Sequence, residues 1–214
     1  MKNPRPPRWS PLLLVLTAAC GDVDDVHDHD HDHNHGLITS VVLNFTDDDG
    51  EVWSFTWSDP EDDGSPVIDD IILPDGADDG DHAERGYTLD VEVWNDLEDP
   101  AEDVTGDIEE AADEHQLFFT GSGVEGPATG TNTAALIAHD YADSDAGGLP
   151  LGIVNTITTR SLGAGELNVT LRHMPPENDQ AVKVAGLAEA VASGGFGAIG
   201  GDNDVEVTFN IEVE

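Results

Sequence analysis

The stretch of sequence that decides the fold is the last one, DVEVTFNIEV at residues 204–213. Apolar and polar residues alternate through it without interruption, with Val205, Val207 and Phe209 among the apolar set. A period of two is the pattern of a β-strand with one face in a core and the other in water. The pattern therefore predicts an amphipathic strand, which requires further strands of the same kind to bury its apolar face.

Seven other segments of the chain show strand-like patterns, and clusters of Gly, Pro and Asp separate them. Two short helices are also predicted, one at residues 108–115 and one at residues 181–192. Asp107 and Glu110 would form a capping box for the first helix. Together these patterns predict an all-β fold: an antiparallel immunoglobulin-like β-sandwich of about eight strands with one or two short helical insertions. The seven segments are residues 37–45, 51–57, 87–94, 117–120, 135–141, 153–159 and 167–173.

The N-terminal part of the chain has the pattern of an export signal. A basic start and the apolar run at residues 12–16 precede small residues and Cys20, the only cysteine in the chain. The run is too short to cross a bilayer as a helix. Small residues followed by Cys resemble the bacterial lipobox, which implies a lipoprotein signal peptide at residues 1–19 and lipidation of Cys20. The alternative is an ordinary secretory signal with an incidental cysteine.

The predicted organisation therefore has three parts. A signal peptide at residues 1–19 is followed by the lipidated cysteine and a disordered tether at residues 20–36, and then by a β-sandwich domain at residues 37–214. The acyl anchor predicts localisation at the bacterial outer membrane, on either its periplasmic or its cell-surface face. Gly21 follows the cysteine where Asp would signal retention, which fits release to the outer membrane by analogy with enteric sorting.

The charge of the chain limits its partners. The chain contains 46 acidic residues and seven basic ones, and three of the basic residues lie in the predicted signal peptide. Nucleic acid is excluded as a partner, because phosphate binding needs clustered Lys and Arg. Either divalent cations neutralise part of the charge, or a saline habitat tolerates an acidic surface. Lipidation of Cys20 would leave no thiol for a disulfide, a metal site or a nucleophile.

The predicted tether contains five histidines at alternate positions, in the run HDHDHDHNH at residues 27–35. Neutral imidazole binds zinc, copper and nickel, and carboxylates add charge and oxygen ligands. The pattern predicts binding of a divalent transition metal, with Zn²⁺ favoured over Cu²⁺ or Ni²⁺. Similar tracts occur in zinc-importer binding proteins and zinc-transporter loops; the alternative is a spacer that binds metal adventitiously. The predicted ligands are His27, Asp28, His29, Asp30, His31, Asp32, His33 and His35.

Three further histidines lie in predicted helices or strands. A possible second metal site consists of His115, His173 and Glu114, with Glu110 one helical turn before Glu114. The alternative is that each is a hydrogen-bonded residue at the end of an element. His139 alternates with apolar residues and is expected to point inward.

A loop between two predicted strands offers a possible calcium site. Asp140, Asp143 and Asp145 precede a turn-forming glycine pair and place oxygens at spacings that resemble a calcium loop. The spacing differs from that of an EF-hand. The alternative is ordinary Asp turn chemistry, which needs no ion.

Several segments of the domain resemble a family of acidic, β-rich bacterial lipoproteins that is largely uncharacterised and sometimes labelled periplasmic-binding-like. The resemblance extends over most of residues 37–214. The association of that family with outer-membrane receptors implies a receptor or transporter as a partner. The segments that carry the resemblance are residues 98–105, 114–116, 143–145, 149–152 and 171–175.

These patterns predict an outer-membrane lipoprotein that binds a divalent transition metal through its tether and delivers the metal to a membrane receptor. The alternative function is that of a calcium-stabilised surface adhesion or assembly module with no transition-metal role. A small-ligand-binding sandwich is a third possibility. An enzyme is not expected, because the sequence contains no catalytic signature such as Gly-x-Ser-x-Gly.

Overall fold

The computed structural model describes residues 37–77 and 83–214. The predicted signal peptide, Cys20, the tether and His82 lie outside these ranges. Within them the chain forms two α-helices, α1 (Thr105–Glu110) and α2 (Leu187–Gly194), and a 3-10 turn at Phe196–Ala198. The same ranges contain twelve strands: β1 (Ser40–Asp47), β2 (Val52–Ser58), β3 (Val67–Ile68), β4 (Ile71–Leu73), β5 (Gly86–Asn95), β6 (Glu102–Asp103), β7 (His115–Thr120), β8 (Val124–Glu125), β9 (Ile137–Tyr141), β10 (Val154–Thr159), β11 (Gly163–His173) and β12 (Asp202–Val213).

The strands belong to two sheets, which confirms the all-β prediction. The larger sheet has the order β3-β2-β1-β5-β10-β9-β8, with β6 paired to β5, and the smaller one has the order β4-β12-β11-β7. All eight segments predicted as strands form strands, with bounds shifted by a few residues. The immunoglobulin-like arrangement is not confirmed, because the larger sheet has eight strands and curls into a half-barrel. The sheets are also not wholly antiparallel, since β12 pairs with β4 and β8 pairs with β9 in parallel.

The last strand of the chain has the predicted amphipathic character. The five apolar residues of β12 from Val205 to Val213 are buried, and the polar residues between them are exposed. Phe209 lies opposite Leu167 of β11 and is fully buried in the main core, which also contains Phe45 of β1. The apolar faces of the two sheets therefore form one core, and β12 supplies a row of side chains to it.

Helix α1 begins three residues earlier than predicted, and the predicted capping box is wrong. No side chain in the described ranges caps the helix at its N-cap residue, Val104. Strand β5 fixes the start of the helix instead, because the Thr105 hydroxyl accepts the backbone N–H of Val93 at 3.0 Å. The helix ends at Glu110, and a turn then leads into β7. Tertiary hydrogen bonds to β5 thus override the local capping preference.

Helix α2 covers the side of the smaller sheet that faces away from the main core. Its residues Leu187, Ala188 and Val191 pack with Phe118 of β7 and with Met174 in a second, smaller core. The helix is shorter than the predicted segment at residues 181–192 and begins later, because bends at residues 182–183 and a turn at residues 185–186 precede it. In the part of the chain that the structure describes, neither helix has the length and apolar character that a membrane span requires.

Candidate metal centre

The ends of strands β7 and β11 bring two histidines together. His115 is the first residue of β7, His173 is the last residue of β11, and the two lie directly opposite each other in the antiparallel register. Side chains in such opposite positions share one face of a sheet. The two imidazole rings are stacked, with centroids 4.6 Å apart and planes 3° from parallel. Both rings follow the apolar face of their strands, because Leu117 and Leu171, two residues away on β7 and β11, belong to the main core.

A β-bulge adds a carboxylate to this pair. Leu171 pairs with Val205, but Arg172 pairs with Asn203, so Asp204 is an extra residue on β12. A bulge bends its strand and re-aims a side chain. The Asp204 carboxylate oxygen Oδ2 lies 3.5 Å from His115 Nε2.

A second carboxylate approaches the other histidine. Glu114 precedes β7, and its Oε2 atom lies 3.5 Å from His173 Nε2. The side chain of Glu114 is 13 % exposed. Its backbone carbonyl accepts the N–H of Met174 at 2.6 Å, which fastens the residue to the end of β11. Each histidine of the stacked pair therefore faces a carboxylate of its own.

A hydrogen bond sets the tautomer of His115. Its Nδ1 atom lies 2.9 Å from the carbonyl oxygen of Ala111, and a carbonyl can only accept a hydrogen bond. Nδ1 therefore carries the proton, and in the neutral ring Nε2 carries the lone pair on the side of Asp204. Metal-binding histidines are commonly oriented in this way, by donating the other ring N–H to a backbone carbonyl. The side chain of His115 is fully buried, so its position is fixed by packing as well.

These groups have the composition of a transition-metal site. One ligand atom each from His115, His173 and Asp204 lies within 4.8 Å of the other two, and in residues 37–77 and 83–214 this is the one such group. Zinc–nitrogen bonds of about 2.0–2.1 Å place the ligands of a tetrahedral ion about 3.3 Å apart. Binding would therefore draw the most distant of these atoms together by up to about 1.5 Å and rotate the stacked rings away from parallel. Two imidazoles and one or two carboxylates suit zinc, and two imidazoles with one carboxylate also suit Fe²⁺.

A glycine lets the chain pass close to this site. Gly201 precedes β12 and has a φ of +81°, in the left-handed region that favours glycine. A Cβ atom at this position would overlap the carbonyl oxygen of His173 and the Cγ of Met174. The entry of β12 toward Asp204 therefore depends on the absence of a side chain at residue 201.

Of the four residues predicted for the second metal site, the described group contains two, His115 and His173, together with Asp204. Glu114 contacts His173 but lies outside that group, and Glu110 is exposed. The prediction for Glu110 assumed one continuous helix to residue 115, whereas α1 ends at Glu110. The sequence analysis missed Asp204, because strict alternation places it on the solvent-facing side of β12, together with Glu206 and Thr208. The one signal was the run of three polar residues at 202–204, where the alternation fails.

Among the described residues, the three aspartates predicted for calcium do not form a group that could hold a metal ion. The carboxylate of Asp143 accepts the N–H groups of Gly152 and Val154 at 2.6 and 2.8 Å. Asp145 accepts two backbone N–H groups and contacts the ammonium group of Lys183 at 2.9 Å. Asp140 accepts the N–H of the next residue. Turn hydrogen bonds and a lysine thus satisfy the oxygens that a calcium ion would need.

His139 points inward, as the alternation predicts, but lies apart from the metal group. Its ring lies against Phe119, with centroids 4.4 Å apart, and its Nε2 atom is 3.0 Å from Oδ1 of Asn155. The amide of Asn155 donates to the carbonyl of Gly152, which leaves Oδ1 to accept from the histidine. Burial lowers the pKa of His139, and the hydrogen bond with Asn155 only partly opposes this effect. His139 is therefore a neutral core residue.

The tether residues predicted as metal ligands, from His27 to His35, and the lipidation site Cys20 lie outside the described residues. Comparisons with known proteins add no family: no family model, no curated protein and no solved structure matches the chain. The resemblance to acidic bacterial lipoproteins therefore stays a prediction.

Proposed function

We propose that this protein captures a divalent transition metal of the zinc class. The folded domain holds one ion between His115, His173 and Asp204, with Glu114 as a further oxygen ligand. The tether collects ions through its alternating histidines and aspartates. Under this proposal the negative charge of the chain favours metal capture, because carboxylates raise the local concentration of cations around both sites.

The observation that carries the proposal is the orientation of His115. Its Nδ1–H donates to a backbone carbonyl 2.9 Å away, and its Nε2 atom faces a carboxylate beside a second imidazole. The alternative is a purely structural role, in which His115 pairs with Asp204 and His173 pairs with Glu114 without any metal ion. The bulge at Asp204 favours the metal, because it turns a residue out of its regular strand position toward this cluster.

The location and the partner form a second part of the proposal. An acyl chain on Cys20 would anchor the protein at the outer membrane, with the tether between the anchor and the domain. A membrane receptor or transporter would then receive the ion. Binding by the tether weakens below about pH 6, where imidazoles become protonated, so an acidic compartment would release its ions.

The test separates the tether from the folded site in the full chain. One variant replaces the five tether histidines, His27, His29, His31, His33 and His35, by Asn. A second adds H173N and D204N to the first. Isothermal titration with Zn²⁺ should show several ions on the natural chain, one ion on the tether variant and none on the combined variant.

The control is H82N in the tether variant, which removes a histidine outside the predicted ligands and should leave the single site unchanged. Failure of the tether variant to bind Zn²⁺ would refute the folded site and leave the tether as the metal-binding element. Failure of the natural chain to bind Zn²⁺, Cu²⁺ or Ni²⁺ would refute the whole proposal. Uptake of Ca²⁺ alone would favour the adhesion module instead.

A further inference from the structure

We propose that Lys183 and Asp145 form a clamp that positions the ligands of the metal centre without binding the ion. The inference rests on the proposed function, because it assigns positioning residues to the same site. It concerns the irregular stretch at residues 181–186 before α2, a segment that contributes no ligand to the group.

The clamp is a buried ion pair with a third member. Lys183 Nζ lies 2.9 Å from Oδ2 of Asp145 and donates to the carbonyl oxygen of Ala112 at 2.6 Å. The side chain of Lys183 is fully buried and that of Asp145 is 3 % exposed. The other carboxylate oxygen of Asp145 accepts the N–H groups of Gly147 and Leu149. One ammonium group therefore joins the stretch before α2, the loop after β9 and the turn before β7.

The turn before β7 makes the hydrogen bonds that orient two of the proposed metal ligands, Glu114 and His115. The carbonyl of Ala111 accepts both the N–H of Glu114 at 3.0 Å and Nδ1 of His115 at 2.9 Å. The next carbonyl, that of Ala112, binds the ammonium group of Lys183. The same Ala112 carbonyl also accepts the backbone N–H of His115 at 3.5 Å, so the Lys183 ammonium group and the first residue of β7 share one acceptor. The position of Lys183 is therefore coupled to the placement of His115.

An ion pair of this kind fixes geometry more than it adds stability. Desolvation of two buried charges offsets most of their attraction, so apolar residues of similar volume often serve stability as well. Burial lowers the pKa of Lys183, and the contact with Asp145 opposes that effect. Burial alone would raise the pKa of Asp145, but hydrogen bonds from Lys183 and from two backbone N–H groups outweigh it and leave that pKa lowered. The carboxylate thus stays charged, and it holds the ammonium group in place over Ala112.

The experiment uses the full chain with the five tether histidines replaced by Asn, so that only the folded site binds metal. In this parent protein the double variant K183M/D145N removes both charges at once. Methionine fills the space of the lysine stem, and the Asn side-chain oxygen can still accept the backbone N–H groups. Co²⁺ serves as the probe, because its absorption spectrum reports the geometry of its ligands.

The expected result is a loss of Co²⁺ affinity of about 10–100-fold, as for other residues that orient metal ligands, together with a changed spectrum. In the metal-free protein, NMR should detect the His115 Nδ1–H of the parent as a slowly exchanging signal. That signal should exchange faster in the double variant, because the Ala111 carbonyl is less firmly held.

The matched control is R85M in the same parent. Arg85 forms an ion pair with Asp47 on strand β1, in the larger sheet, so this variant also breaks a partly buried pair. It should leave the affinity, the spectrum and the imidazole signal unchanged, even where it lowers the melting temperature. An unchanged affinity, spectrum and signal in K183M/D145N would refute the clamp while the metal site stands. A parent that binds no Co²⁺ and no Zn²⁺ would refute the proposed folded site, and the clamp with it.

Discussion

The imidazole rings of His115 and His173 lie face to face, 4.6 Å apart and 3° from parallel, at the point where two neighbouring strands begin and end. A metal ion lies in the plane of each imidazole that binds it, and two separate parallel planes share no point, so an ion must tilt at least one ring to bind both. His115 is fully buried and hydrogen-bonded, whereas the side chain of His173 is 23 % exposed. We therefore expect His173 to move and His115 to stay when a metal binds.

Zinc should stabilise the folded domain by an amount that depends on this site. In the variant without tether histidines, Zn²⁺ at about 100 times its Kd should add about 2.7 kcal/mol to the free energy of unfolding. Urea unfolding with and without Zn²⁺ measures this gain. The D204N variant should lose most of it, because the carboxylate that faces His115 is replaced by a neutral amide. Equal gains with Asp and Asn at residue 204 would remove Asp204 from the ligand set.

Substitution of Gly201 should affect stability and metal binding together. G201A places a methyl group in contact with the His173 carbonyl, in addition to straining a φ of +81°. Gly50 provides the matched control, since it also has a φ of +81° but no described atom lies within 4 Å of its Cβ position. G50A should cost about 1–2 kcal/mol, the ordinary penalty of the left-handed conformation. G201A should cost more and should also weaken Zn²⁺ binding; equal costs and equal affinities would contradict this expectation.

Strand β12 should tolerate changes on one face only. Phe209 is fully buried, so F209A should lower the free energy of unfolding by about 3–5 kcal/mol through a cavity and lost apolar burial. The neighbouring Thr208 is exposed, and T208A should change it by no more than about 0.5 kcal/mol. Chemical denaturation of both variants provides the comparison. Similar losses for the two would show that β12 does not have one face in the core.

His139 should contribute to the loss of stability in mild acid. Burial lowers its pKa below the ordinary value of 6.5, so below that pH the unfolded chain binds a proton that the folded protein does not. The stabilising effect is complete above pH 6.5 and is lost as the pH falls through 6.5 toward the lowered pKa. Over this range the slope approaches about 1.4 kcal/mol per pH unit for one proton. H139Q should therefore lose less stability than the natural chain between pH 7 and pH 5, and parallel curves would count against this account.

The period-two pattern predicted the eight longer strands, because a half-buried strand must alternate whatever its partners are. It missed β3, β4, β6 and β8, whose two or three residues are too few to show a period. It also placed His139 on an inward-facing position. It could not predict the pairing of β7 with β11, which sets His115 opposite His173, because strand order depends on contacts between residues distant in sequence. The all-β fold was thus predictable, whereas the curl of the larger sheet was not.

The errors at the candidate sites have local physical causes. Asp204 was missed because a bulge breaks the strand period at one residue, and no sequence rule for a single bulge is strong. Glu110 was wrongly included because hydrogen bonds to β5 move the start of α1 and its end with it. The calcium prediction for Asp145 did not include Lys183, which is distant in sequence and contacts the carboxylate. In each case a contact between residues distant in sequence changed the local structure or environment that the sequence pattern predicts.

The burial of Lys183 has a consequence for chemical labelling. Lys2 is the only other lysine in the sequence, so the folded domain contains a single primary amine, and that amine is enclosed. An amine-reactive reagent can modify it only when the stretch before α2 opens. The rate of modification at Lys183 would thus report the free energy of that local opening, with no engineered probe.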